Sequence, residues 1–332
     1  MTLHRRFATT AVALLLTVLA AAPGRAADLD PYLPGDTETV ININIRQLLD
    51  SPLIKKHVLE HAQEALRGND QVQDVLKDLG FDPFKDLDRV IIAAPGGTDK
   101  DRGLVIVRGR FDLDKFKAKA EETAKNDEEH LKIQKVLGGK HLLYEVNAPE
   151  FDAPLFVALP NRETVLVSPG KDYVVDALKK AGKTDKVVLK NKEFQALLEK
   201  MNDSQSLSMA AIKTPAHRDA VNGLPGDIKD MIAKIQAVGG GLTISDEVRM
   251  EIVVTTKNTS EAKELRDSAD AGLKLVLAGL SAFTTNQKDA APALDFLLEF
   301  AKSLRVTNKD KAVILKGRIN SDFIEDTLKK GK

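Results

Sequence analysis

Two stretches far apart in the chain read alike. Asp172-Tyr-Val-Val-Asp-Ala-Leu-Lys-Lys180 aligns with Asp322-Phe-Ile-Glu-Asp-Thr-Leu-Lys-Lys330, with the same residue at five of the nine positions. An acid at the start and lysines at the end suit the dipole of any helix. What constrains the fold is the order in which each helix is reached: strand, helix, hairpin, helix, hairpin, helix. That order, met twice, predicts an α+β protein built from a duplicated unit, each unit a mixed or antiparallel sheet with helices packed on one face. The lysine-rich stretch around 182–192 separates a first unit, 27–185, from a second and related unit, 186–332.

The local signals behind this order are strand alternation and helix punctuation. Leu33-Pro34-Gly35-Asp36 is turn chemistry, and it feeds Thr39–Ile45, where alternation marks a strand with one buried face. Ser51-Pro52 opens a helix as N-cap and first helical residue, and Ile54, Val58, Ala62, Ala65 and Leu66 continue it at helical spacing to Gly68. A second helix spans about 71–79, and Asp112 caps a third over 113–125. Strands are expected at 89–94, 103–110, 131–136, 141–146, 155–159 and 164–167. In the second unit they fall at 207–212, 237–244, 248–256, 304–307 and 312–319. Helices are expected over 219–235, 260–283 and 291–303. The helix 260–283 carries an apolar stripe of Ala262, Leu265, Ala269, Leu273, Val276, Leu280 and Phe283.

The amino terminus has the form of an export signal. His4-Arg5-Arg6 supplies the positive region, Ala8–Ala22 the apolar stretch, and Ala26 the small residue before cleavage, so residues 1–26 are expected to be removed. The apolar run is about fifteen residues, shorter than the roughly twenty that span a bilayer, so the mature form is expected to have no membrane span. The 332 residues contain no Cys. A thiolate nucleophile, an iron–sulfur cluster and a Cys-based zinc site are thereby excluded. The about 300 residues left after cleavage are enough for a core that needs no disulfides. A bacterial periplasm or cell surface is the expected location. With 49 Lys+Arg against 49 Asp+Glu, and three of the arginines in the leader, nothing in the overall charge favours nucleic acid.

The opening Leu33-Pro34-Gly35-Asp36-Thr37, the strand Val40–Ile45 and Arg46-Gln47-Leu48-Leu49-Asp50-Ser51-Pro52 together resemble a group of exported, uncharacterised bacterial proteins. That group begins with a Pro-x-Asp-Thr turn and is abundant in planctomycetes. Phe81-Asp82-Pro83-Phe84-Lys85-Asp86-Leu87-Asp88 also resembles it. The resemblance implies a non-cytoplasmic α+β protein without an assigned reaction, and it transfers no functional residue.

One constellation could carry chemistry. His57-Val-Leu-Glu60-His61 has the H-x-x-E-H form of inverted zincins, in which two histidines one helical turn apart bind zinc and the glutamate activates a metal-bound water. Those enzymes take a further Glu from a helix some seventy to eighty residues later. Here that window holds strands, with Glu145 its sole acid, while Glu121 and Glu122 come too early. Helix geometry at 100° per residue puts His61 at the edge of the buried arc, with His57, Glu60 and Glu64 toward solvent.

Other motifs read as punctuation. Gly182-Lys183-Thr184 lacks the upstream glycine of a phosphate loop. Ser168-Pro169-Gly170-Lys171 lacks the partners of a serine acylase and reads as a turn or cap. Asp99-Lys100-Asp101 reads as a hairpin turn. Pro95-Gly96-Gly97 reads as a turn and Gly239-Gly240-Gly241 as a bulge or bend, the other possibility for each being close backbone approach to a ligand.

The resulting expectation is an exported, non-enzymatic binding or structural protein of the periplasm or cell envelope, without a cofactor, acting on an envelope protein partner through its surface. The alternative is a zinc-dependent hydrolase of the inverted-zincin type, or a catalytically dead relative, with His57 and His61 on the metal and Glu60 as general base.

Overall fold

The computed structural model describes residues 29–96, 102–147, 153–180, 183, 187–202, 204–213, 226–286 and 292–330. The expected leader and the stretches holding Asp99, Asp101, Gly182 and Thr184 lie outside them.

Strand β1 (Thr37–Ile43) runs into a chain of short helices: α1 (Ile45–Asp50), α2 (Pro52–His57), α3 (Leu59–Arg67), α4 (Asp70–Leu79) and α5 (Pro83–Asp86). Then come β2 (Leu87–Pro95), β3 (Leu104–Gly109), α6 (Leu113–Asn126), β4 (Leu131–Val136), β5 (His141–Val146), β6 (Leu155–Asn161), β7 (Thr164–Ser168) and α7 (Lys171–Leu178). The remainder holds α8 (Lys192–Leu198), β8 (Leu207–Ile212), α9 (Gly226–Lys234), β9 (Ile235–Ile244), β10 (Glu247–Thr256) and α10 (Thr259–Asn286). It closes with α11 (Pro292–Ser303), β11 (Arg305–Lys309), β12 (Ala312–Asn320) and α12 (Ser321–Lys330).

The helix ends follow side-chain chemistry. Ser51 accepts from the Ile54 amide with Pro52 at the first helical position, and Asp112 accepts from the amides of Asp114 and Lys115. Gly80 ends α4 with φ of 61°, a left-handed conformation that favours glycine. Helix α8 was not expected. Asn191 caps it by accepting from Phe194 N, and Phe194 and Leu198 are buried beneath it. Its lysines resemble linker composition, but the apolar face decides.

The strands form one twelve-stranded sheet in the order β11-β12-β10-β9-β8-β1-β2-β3-β7-β6-β5-β4. Every pairing is antiparallel. The protein is therefore α+β, with an antiparallel sheet. That sheet is continuous across the stretch expected to separate two units, because β1 pairs with β8 from Thr39↔Ala211 to Ile43↔Leu207. Outward from this junction the order is β1-β2-β3-β7-β6 on one side and β8-β9-β10-β12-β11 on the other, and β5 and β4 extend the first side.

Where one helical layer was expected, helices stand on both faces. On the first face, Val174, Ala177 and Leu178 of α7 and Phe194 and Leu198 of α8 cover Val40, Ile91, Ala93, Leu104, Ile106, Leu166 and Ala210. Leu104, Ile106 and Leu166 are wholly buried, each contributing on the order of 2 kcal/mol by removal from water. On the second face, Ala262 and Leu265 of α10 pack with Val313, Val254 and Val306. Cross-strand pairing links Val253, the neighbour of Val254, through Gly239 and Ala210 to Val40, which puts Val254 and Val40 on opposite faces.

The motifs at the amino terminus serve as fasteners. Thr37 is buried and closes the turn by donating Oγ1 to Pro34 O at 2.8 Å. Asp36 accepts from Tyr173 Oη at 2.9 Å and pairs with Arg102, whose guanidinium lies 5.8 Å from the Tyr173 ring centroid. Beside this clamp, Asp30 holds Arg108 at 2.7 Å over the Tyr32 ring, and Lys180 donates to Leu33 O. Arg46 donates to the carbonyls of Phe84, Lys85 and Leu87, joining the segment Arg46–Pro52 to the segment Phe81–Asp88.

Candidate functional site: an uncovered face of the sheet

Residues directly opposite on neighbouring strands share a face, so the pairings define rows across the sheet. On the second face one row runs Val157, Val167, Val105, Ile92, Ile41, Met209, Gly240, Ile252 and Leu315. The adjacent row runs Val165, Val107, Val90, Ile43, Leu207, Leu242 and Met250. Neither row contains a charged side chain.

Helices cover the two ends of this face. At one end Phe116 of α6 meets Tyr144 edge-on at 5.3 Å, and Val75 and Leu79 of α4 join them around a cavity of about 360 Å³ that reaches Val157. Lys119 on α6 ties α4 through Asp78 at 2.8 Å. Burial, and to a lesser degree the nearby Glu121 carboxylate, pushes the Tyr144 phenol above its ordinary pKa. At the other end α10 sits on Val254 and Val313, and α11 descends onto β12 at Gly317. A Cβ there would lie 2.7 Å from Leu304 Cδ2 and 2.9 Å from Phe300 Cε2.

Between these covers the floor is open. Ile92 and Met209, in the same row and both beside Ile41, are 37% and 45% exposed. Burying what remains exposed of either side chain would gain about 0.5–1.5 kcal/mol, so the free protein forgoes that stabilisation over contiguous apolar surface. From β7 to β9 the floor spans six strands, about 24 Å at ordinary strand spacing.

In the alternating run Thr39–Ile45 the core receives Val40, and Ile41 and Ile43 stand on the other parity, along the open face. Asn42 faces the same side as Val40, its Nδ2 3.4 Å from Ser208 Oγ. The signal for the open face is present in the strands Val90-Ile91-Ile92, Leu104-Val105-Ile106-Val107 and Val165-Leu166-Val167. They are apolar on both parities, as befits a sheet with both faces destined for contact.

The H-x-x-E-H residues are not arranged as expected. Helix α2 ends at His57, Val58 departs from helical geometry with φ of −124°, and α3 begins at Leu59. His57 and His61 thus lie on different helices instead of one turn apart on a continuous one, and Val58, expected on the buried arc, is 47% exposed. His57, expected toward solvent, has a buried Nε2 without a hydrogen-bond partner among the described residues. Glu60 is exposed, and His61, also exposed, has Nδ1 3.7 Å from Glu64 Oε2. Glu145 is engaged by Gln134 Nε2 at 2.6 Å, while Glu121 and Glu122 pair with Lys117 and Lys119. Among the described residues, no group of three or more His, Asp or Glu converges as a metal centre would require.

The other motifs have local explanations. Ser168 is buried, donates to Gly103 O and accepts from Gly170 N, as a turn residue does. In the Gly239–Gly241 run the register is unbroken, so the run holds no bulge. The backbone approaches protein atoms: a Cβ on Gly240, at φ of 151°, would lie 2.2 Å from Glu251 O, and one on Gly241 2.1 Å from Leu207 O.

No protein-family model matches the chain, and no curated protein matches it. Among solved structures it is similar to crystal forms III, IV and I of TP0453, with TM-scores of 0.46, 0.45 and 0.43 and identities of 11%, 10% and 12%. The matches cover 90%, 91% and 91% of this chain and 98%, 96% and 97% of those chains.

Proposed function

We propose that this chain is an exported, non-enzymatic binding protein of the bacterial cell envelope that holds a partner protein against the open apolar face of its sheet. The observation that carries this reading is the exposure of Ile92 and Met209 within an otherwise apolar cross-strand row. A floor about 24 Å wide matches a protein contact better than a small-molecule pocket, which buries most of its ligand between close walls. Export is supported by the leader chemistry of residues 1–26 and by the absence of cysteine from a chain of this length. Among the described residues no helix is long and apolar enough to cross a membrane. The resemblance to exported proteins with a Pro-x-Asp-Thr opening is consistent with this location.

Photo-crosslinking in the native envelope tests the reading. A photoreactive residue at Met209 and another at Ile92 should give the same protein adduct, and one at Lys309, on an edge strand, should not. Met209→Asp should abolish the adduct formed from position 92 while the chain stays folded. Adducts absent from both positions, or equally strong from Lys309, would contradict it.

A further inference from the structure

The opposite face of the sheet carries a second feature, at the end where β10, β12 and β11 lie beyond the cover of α8. Its residues alternate with the apolar row and are charged. Arg249 lies directly opposite Arg318, and in the next row Lys316 stands between Glu251 on one side and Arg305 on the other. Two pairs of like charge, Arg249/Arg318 and Lys316/Arg305, therefore face each other across neighbouring strands. Such pairs destabilise a sheet unless something lies between them.

Acids engage two of these four cations and backbone carbonyls a third, which leaves Arg318. Glu251 reaches Lys316 at 3.0 Å, Glu247 reaches Arg249 at 3.3 Å, and Glu299 is 3.4 Å from Lys302. Arg305 spends Nη1 on the carbonyls of Lys302 and Leu304, each at 2.7 Å, which fixes it at the end of α11. The Arg318 guanidinium has no hydrogen-bond or ion-pair partner among the described residues. Apart from Glu247, these side chains line a cavity of about 760 Å³, whose wall includes the amide side chains of Asn202, Gln205 and Asn320. Five of the lining residues are basic and two acidic.

We propose that this cavity binds a ligand bearing two adjacent oxyanions, of the diphosphate type, with one oxyanion between Arg249 and Arg318 and the other against Lys316 and Arg305. Guanidinium groups supply planar paired donors suited to phosphate oxygens. Arg249, Arg318, Lys316 and Arg305 stand on the face opposite the apolar floor, and the cavity that they line also reaches Met250, Gly317 and Ile319 of the other face and the end of α11. A diphosphate-type ligand can be free in solution or belong to a lipid headgroup, and the chemistry of recognition is the same.

The test is calorimetric titration of the full chain with sodium pyrophosphate, alongside flotation with phosphatidylcholine vesicles that contain or lack a polyprenyl diphosphate. Saturable heat with pyrophosphate and no flotation identifies a free ligand, and flotation only with the diphosphate-bearing vesicles identifies a headgroup. In either case Arg318→Gln and Arg249→Gln should each weaken binding at least tenfold, and added salt should weaken it further. Arg318→Gln, relieved of its opposed charge, should melt no lower than the parent without ligand and lose any pyrophosphate-induced rise in Tm. The proposal is overturned if neither probe binds above the level of sodium chloride at equal ionic strength. It is also overturned if Arg318→Gln binds as well as the parent.

Discussion

Tyr173 and Asp36 show what individual residues contribute. Burial first, and the hydrogen bond to Asp36 second, push the Tyr173 phenol up to about 12. Its proton is held more tightly in the folded chain than in the unfolded one, so this contribution to stability is complete below about pH 10 and fades above it. The loss is finished as pH passes through about 12. Tyr173→Phe should therefore flatten the fall of Tm between about pH 10 and 12 relative to the parent. An unchanged slope would show that the clamp is unimportant. His57 offers a second test. Its buried, unpartnered Nε2 is a cost, so His57→Phe should leave stability unchanged or raise it by about 1 kcal/mol in urea denaturation. The chemical type of these residues was legible in the sequence, and the clamp was not, because Asp36, Arg102 and Tyr173 meet only through the fold. The H-x-x-E-H spacing misled for a related reason. Spacing implies a shared helix face only if the helix is unbroken, and here it breaks at Val58.

At the scale of elements, strand pairs and caps were readable because each depends on near neighbours in sequence. Both hairpins β4–β5 and β9–β10 lie where alternation and turn residues put them. The stripe of α10 was readable in position but not in consequence. Ala262 and Leu265 are buried against the sheet, while Val276 on the same stripe and its neighbour Leu275 are exposed, the latter at 75%. Leu265→Ala should cost about 2–5 kcal/mol, and Leu275→Ala less than about 0.5 kcal/mol. Equal costs at the two positions, measured by chemical denaturation, would contradict the packing described. In β9, Gly240→Ala must place a methyl against the Glu251 carbonyl from a backbone conformation that favours glycine, and should cost about 2–3 kcal/mol. A glycine run that served only for ligand approach would lose binding with little loss of stability.

For the whole molecule, the repeated order of elements was visible in the sequence, and the way the halves join was not. We propose that the matching strand orders on either side of the β1–β8 junction reflect a duplicated unit, with β4 and β5 added to the first copy. Nothing local to Thr39–Ile43 announces pairing with Leu207–Ala211, since that choice is made by long-range contact. The same holds for the functional face. Local alternation tells which residues of a strand share a side, but only the complete sheet, with its helices at both ends, determines which side stays open. A sheet whose middle strands are apolar on both faces and covered by helices on one is the physical basis for reading this protein as a binding protein. Because the chain contains no cysteine, that reading can be probed one position at a time. Met209→Cys should react rapidly with a thiol reagent in the purified protein, Leu104→Cys, wholly buried, should not, and Met209→Cys should become protected in the native envelope by the partner we propose. Equal labelling of Met209→Cys in both settings, or its failure to react in the purified protein, would contradict the claim that this face is open in the free protein and occupied in place.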